Sequence, residues 1–175
     1  MRHILTFLVI FSLGGFFIYR GGCSNTAQQT RPEDARVVEV VIDGHVIEPE
    51  VADTPTLRRK GLSERQDLVP GGGMLFVFEE DQKPEFWMKD TRVELSIAFI
   101  RADGTIIDIQ QMKPQSPRRH SPPEPVRYAL EVRRGWFEDR GLEPPVQVQL
   151  PDNLEIPAAE KEQEETGSES EEAVE

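Results

Sequence analysis

Residues 93–99 read VELSIAF, with Val93, Leu95, Ile97 and Phe99 alternating against Glu94, Ser96 and Ala98. A period of two lays one set of side chains on one face of an extended strand; a helix, with its period of 3.6, would scatter them around its circumference. Upstream, Met74, Leu75, Phe76, Val77 and Phe78 form a short, fully apolar run with glycines before it and acids after it. That is the pattern of a strand buried on both faces. Both signals fall within residues 71–100, GGGMLFVFEEDQKPEFWMKDTRVELSIAFI, around which the rest of the chain is arranged.

The flanking segments repeat the message. The β-branched run at residues 37–42 meets Asp43-Gly44, a strong hairpin turn because glycine tolerates positive φ. Residues 45–51 are the expected return strand, with Pro49 pushing its end to a sheet edge. A second hairpin turn, Ala102-Asp103-Gly104-Thr105, leads into a return strand over residues 106–112, and residues 128–132 and 146–150 supply two more strands. Residues 79–85 read as a charged loop, and residues 86–88 reopen a strand. One short helix is expected over residues 54–61: Thr54 caps it, Pro55 suits its first turn, Arg58, Arg59 and Lys60 suit its C-terminal end, and Gly61 stops it. Leu57 and Leu62 are expected to face the core. A single helical turn at residues 135–141 would carry Trp136 and Phe137. Residues 113–125 hold five prolines and cannot form a central strand. The expected fold class is mainly β, a compact barrel-like β-sandwich with one or two short helices. Its body, residues 37–151, is large enough to bury a core without disulfides.

The termini have a different character. Residues 4–19 are uncharged and mostly apolar after a start containing Arg2. The run sits at the upper edge of a signal-peptide apolar region of about 7–15 residues, and just under the roughly 17–25 of a bilayer-spanning helix. Cys23, the single cysteine, follows Arg20-Gly21-Gly22 and resembles the acylated cysteine of bacterial lipoproteins, although those have an apolar residue where Arg20 stands. Residues 1–22 thus read as a signal peptide or an uncleaved N-terminal membrane anchor. Residues 23–36 read as a flexible tether. Either way the body is expected to be exported and membrane-anchored, facing the periplasm or cell exterior. Residues 152–175 carry ten acids and one Lys, a net of −9. Taking −9 from the chain's −12 leaves −3 for the rest, so the body is nearly balanced and the tail reads as disordered. The sequence shows no stripe of net positive charge, and a nucleic-acid partner is not expected.

Four motifs, GLSER at residues 61–65, GMLFVF at residues 73–78, FWMKDT at residues 86–91 and LEVRRG at residues 130–135, resemble in order and spacing the bacterial and archaeal domain-of-unknown-function family 192. The resemblance covers the predicted body and implies a compact, mainly β, barrel-like domain with short helices. It implies no activity. The chain has Asp90 where the family usually has Asn, and Ser96 where it usually has Asp.

FWMKDT gathers an aromatic ring, a thioether, a cation, a carboxylate and a hydroxyl in six residues. Were it a strand, Trp87, Lys89 and Thr91 would share one face, with Phe86, Met88 and Asp90 on the other. The first set suits an apolar or sugar-like ligand with a polar handle. A purely structural reading makes the aromatics core, with Lys89 snorkelling and Thr91 ending the strand. Glu131 stands within the apolar strand YALEV; facing inward it must be paired, and Lys89 is the expected partner. The ligand-binding candidates are therefore Trp87, Lys89, Thr91, Met74 and Glu131. Asp90 and Glu131 are the candidates for an acid–base pair. Arg118-Arg119-His120 reads as a solvated loop or a contact for anions. His3, His45 and His120 lack metal-ligand spacing, no nucleophile triad or phosphate loop is present, and no cofactor is implied. Three functions stand: a tethered module that binds a small molecule or cell-envelope component, a hydrolase using Asp90 and Glu131, and an envelope assembly or interaction protein recruiting a basic partner through its tail.

Overall fold

The computed structural model describes residues 31–152 and 154. The signal or anchor segment, Cys23, most of the tether and nearly all of the acidic tail lie outside them. Among the described residues no helix is long and apolar enough to cross a membrane.

The elements run β1 (Val40–Ile42), β2 (His45–Ile47), β3 (Glu50–Ala52), α1 (Pro55–Lys60), β4 (Gly73–Gln82), β5 (Leu95–Ile100), β6 (Thr105–Met112), β7 (Val126–Arg133), a 3-10 turn (Glu138–Arg140) and β8 (Val146–Gln149). The strands form one curled, eight-stranded sheet in the order β2-β1-β8-β6-β5-β7-β4-β3. The expected mainly β, barrel-like fold is what the structure has, with one short helix among the described residues. Both expected hairpins form. Asp43 and Gly44 take positive φ between β1 and β2. In the second, the Asp103 carboxylate accepts the Thr105 backbone N–H at 2.9 Å, which holds its pKa below the usual carboxylate range.

The return strand over residues 45–51 does not run unbroken. It divides at Glu48-Pro49 into β2, antiparallel to β1, and β3, parallel to β4. Pro49 cannot donate to a ladder, so the break falls where the chain changes partner. The lead-in to β1 also pairs with β3: Val38 N–H donates to the Pro49 carbonyl, and Val51 N–H donates to the Arg36 carbonyl. The outer edge of β3 is thereby occupied.

Strand alternation sorts the core onto two faces. Leu75, Val77, Ala98, Ile100, Leu130 and Val132 join Trp136 and Phe137 on one face. Met74, Phe76, Phe78, Leu95, Ile97, Phe99 and Ala129 make the other, covered by Leu62, Leu68, Met88 and Val93. β4 is longer than its apolar run, because residues 79–82, expected as loop, continue the strand with exposed side chains. α1 begins and ends as expected: Thr54 Oγ1 accepts the Leu57 N–H at 3.2 Å, and Gly61 leaves the helix at φ 50°. Leu57, however, does not face the core; it is 41 % exposed, whereas Leu62 is buried. Arg58 holds the helix to the sheet instead, donating to the Asp53 and Val77 carbonyls at 2.7 and 2.8 Å.

Candidate functional site

The second core face is not fully covered. Between α1 with its following turn and the 84–91 loop lies a cleft of about 420 Å³ over β4 and β7. Every one of the four sequence motifs reaches it: Gly61, Leu62 and Ser63 from the first, Phe76 and Phe78 from the second, Phe86, Trp87 and Thr91 from the third, and Glu131 from the fourth. The turn and the loop are tied to each other by a main-chain bond, Glu64 N–H to the Asp90 carbonyl at 2.9 Å.

FWMKDT is not a regular strand. Phe86 forms an isolated bridge, exchanging both main-chain bonds with His120 at 2.8 and 2.9 Å, and Met88 N–H donates to the Ser116 carbonyl at 3.3 Å. Alternation survives for three residues. Phe86 turns in, edge-on to Phe76 at 4.9 Å between ring centres; Trp87 turns out and is 49 % exposed; Met88 is buried. A turn at Lys89-Asp90 then breaks the pattern, so Thr91 points inward and is 5 % exposed. The shared face expected for Trp87, Lys89 and Thr91 is therefore absent. Trp87 and Thr91 both line the cleft, Trp87 at the rim and Thr91 inside, while Lys89 and Asp90 are exposed outside its lining. Met74 is buried beneath the cleft, directly opposite Glu131 in the β4–β7 register.

Glu131 forms the floor. It pairs in register with Met74 on one side and Ile97 on the other, and it is 5 % exposed. The ion pair expected with Lys89 does not form, and among the described residues the Glu131 carboxyl has no hydrogen-bond or ion-pair partner. Burial alone pushes its pKa up to about 8, so it is mostly protonated at neutral pH. Gly73 sits against this residue's main chain: a Cβ there would lie 2.3 Å from the Glu131 carbonyl oxygen. Only glycine lets β4 and β7 come this close.

The rim is cationic. Arg58, Arg59 and Lys60 come from α1, and Arg119 comes from the proline-rich loop with its guanidinium 3.5 Å above the Trp87 ring. Arg119 belongs to the site. Its run of charges marked it as a solvated loop or a contact for anions, with no link to Trp87, because the ring it covers lies far away in sequence. His120, beside it, is not solvated: it is 3 % exposed, with Nδ1 2.9 Å from Gln110 Oε1. Burial, with the Arg118 cation, holds its pKa below the ordinary imidazole value. Among the described residues no cluster of His, Cys, Asp and Glu is placed to hold a metal ion. The two departures from the family pattern lie off the cleft: Asp90 is exposed outside the lining, and Ser96 is fully buried on the opposite sheet face.

Comparison with known proteins gives a family and a fold. The model of the DUF192 family, described as an uncharacterized ACR, matches residues 38–150. A crystal structure of a candidate transcription regulator from Sinorhizobium meliloti 1021 is 32 % identical, with a TM-score of 0.64, over 66 % of this chain and 95 % of that one. A protein of unknown function from Novosphingobium aromaticivorans DSM 12444 is 27 % identical, with a TM-score of 0.65, over 68 % of this chain and 89 % of that one. No curated protein matches.

Proposed function

The chain belongs to the DUF192 family, and from that footing we propose that it is a binding module holding a small molecule or cell-envelope component in the cleft beside Trp87. The observation that carries this reading is the convergence of all four motifs on one cleft whose floor is a buried, unpaired carboxyl. A folded chain gains nothing in stability by burying such a group, but a site gains a polar contact set in apolar walls. The name of the Sinorhizobium protein points toward gene regulation; here the cations ring a pocket and do not make the extended stripe that tracks a phosphate backbone.

The chain has two tryptophans, Trp87 and Trp136. Replacing the buried Trp136 by Phe leaves Trp87 as the sole reporter. Titration with cell-envelope fragments should then shift its emission, and emission that stays constant across all fractions would refute the reading.

A hydrolase remains the second reading, because a carboxyl held protonated to about pH 8 has the state a general acid needs. Its weakness is that Asp90 does not line the cleft with Glu131. Turnover of a model glycoside that vanishes in Glu131→Gln would favour it over simple binding. We further propose that the module is exported and held at a membrane through its N-terminus, on the strength of the apolar run at residues 4–19 and the position of Cys23. Intact mass of membrane-extracted protein should show either a lipid-modified chain starting at Cys23 or the apolar segment retained. An unmodified full-length chain free in the cytoplasm would exclude both.

A further inference from the structure

We infer that the occupant of the cleft is an organic anion with an apolar body, its carboxylate, sulfonate or phosphate held at the rim by Arg59, Lys60 and Arg119 and its body laid on Phe76, Phe78 and Phe86. This rests on the binding reading above and goes on to the class of ligand.

The floor and the rim ask for different chemistry. Three phenylalanines and Leu62 form walls suited to an aryl or alkyl group. The mouth is opposite in sign to the chain as a whole. Residues 1–151 carry a net charge of −3 (−12 less the −9 of residues 152–175), yet the lining holds four cations, Arg58, Arg59, Lys60 and Arg119, against Glu85 and Glu131. With Glu131 protonated, four less one leaves +3.

These cations are not equally committed. Arg58 is occupied by two main-chain carbonyls and the Phe78 ring. Arg59 makes one long bond, to Thr56 Oγ1 at 3.4 Å. Among the described residues Lys60 and Arg119 have no ion-pair partner, and stacking on Trp87 leaves the guanidinium edge of Arg119 free to donate. A cationic ligand would have to pass these groups to reach a floor that carries no charge to meet it. A neutral apolar ligand would leave them unused. An anion with an apolar body satisfies both ends, and the uncharged carboxyl of Glu131 donates a hydrogen bond without repelling it.

An isosteric pair of probes separates the two ends: 3-phenylpropionate and 3-phenylpropanamide, each titrated calorimetrically into the full-length protein at pH 6.5. The anion should bind at least tenfold more tightly than the amide. Arg59→Ala, Lys60→Ala and Arg119→Ala combined, all at exposed positions, should remove most of the anion's advantage over the amide. Raising salt from 50 to 500 mM should weaken only the anion. Equal affinity of the two probes, or an undiminished anion preference in the triple variant, overturns the inference and leaves the binding reading standing. Absence of heat from both probes overturns the inference; if Trp87 emission is also silent toward envelope fragments, the binding reading falls with it.

Discussion

The stability of the Glu131→Gln variant relative to the parent should rise with pH. The carboxyl is 5 % exposed between Met74 and Ile97, and burial raises its pKa from 4.5 to about 8. Between those values the unfolded chain has released the proton and the folded chain still holds it. The folded state therefore binds more protons, and stability falls as pH rises through the window, by about 1.4 kcal/mol per unit. The penalty is absent below pH 4.5, reaches about 3 kcal/mol at pH 7, and levels off near 5 kcal/mol above pH 8. Gln carries no charge at any of these pH values. Its buried amide brings a cost of its own, about 1–3 kcal/mol if unsatisfied, but that cost does not change with pH. The decisive quantity is therefore the gap between parent and variant as a function of pH. Urea unfolding of both full-length chains at pH 5, 6 and 7 measures it. With a slope of about 1–3 kcal/mol per molar urea, the gap between midpoints should widen by on the order of 1 M or more between pH 5 and 7. Other carboxylates, including those of the acidic tail, titrate alike in both proteins and cancel. Midpoints that move in parallel would mean that the carboxyl is already ionised at neutral pH, and the account of the cleft floor given above would be wrong.

Three further outcomes are expected. Arg65→Ala removes the bidentate partner of the buried Glu50 carboxylate, 2.7 and 2.9 Å away, leaving Arg31 at 3.9 Å; it should cost about 3 kcal/mol at pH 7, read as a lowered urea midpoint, and an unchanged midpoint would mean that the pair is open to water. Thr54→Ala loses the α1 cap and should cost about 1 kcal/mol, seen as a melting temperature lower by a few degrees. Arg119→Ala in a Trp136→Phe background should change the Trp87 emission spectrum, since the guanidinium lies 3.5 Å above that ring; an identical spectrum would show that the stack is not populated in solution.

How much of this was legible in the sequence depended on distance along the chain. The two hairpins, the alternating strand β5, the buried half of β4 and the caps of α1 are written in residues a few positions apart, and each formed where its local signals lie. Partner exchange is not local. Nothing within residues 45–51 reveals that β3 leaves β2 to lie parallel to β4. Leu57 looks like a core residue in its own turn, yet Arg58 holds the helix to the sheet and leaves Leu57 outside. The site divides the same way. Trp87, Thr91 and Glu131 drew notice because each is unusual among its neighbours, and all three reach the cleft. Lys89 and Asp90 drew notice for the same reason, but the turn at these residues sends them elsewhere. Arg59 and Lys60 read as helix-end charge and Arg119 as a solvated loop or an anion contact, and nothing local joined them, because only the fold brings the end of α1 and the proline-rich loop to one opening.

The way the chain enters its first strand also fixes a load path. The Arg36 carbonyl and the Val38 N–H are bonded to Val51 and Pro49, and the Arg36 side chain holds Asp53 at 2.8 Å. Tension arriving from the N-terminal side is thus met by this clamp before it reaches the β1 ladder. The clamp passes it to β3, and β3 is laddered to β4, the strand that bears Phe76 and Phe78. Were the domain pulled from its N-terminal side, force would pass through β3 to the strand that forms one wall of the cleft.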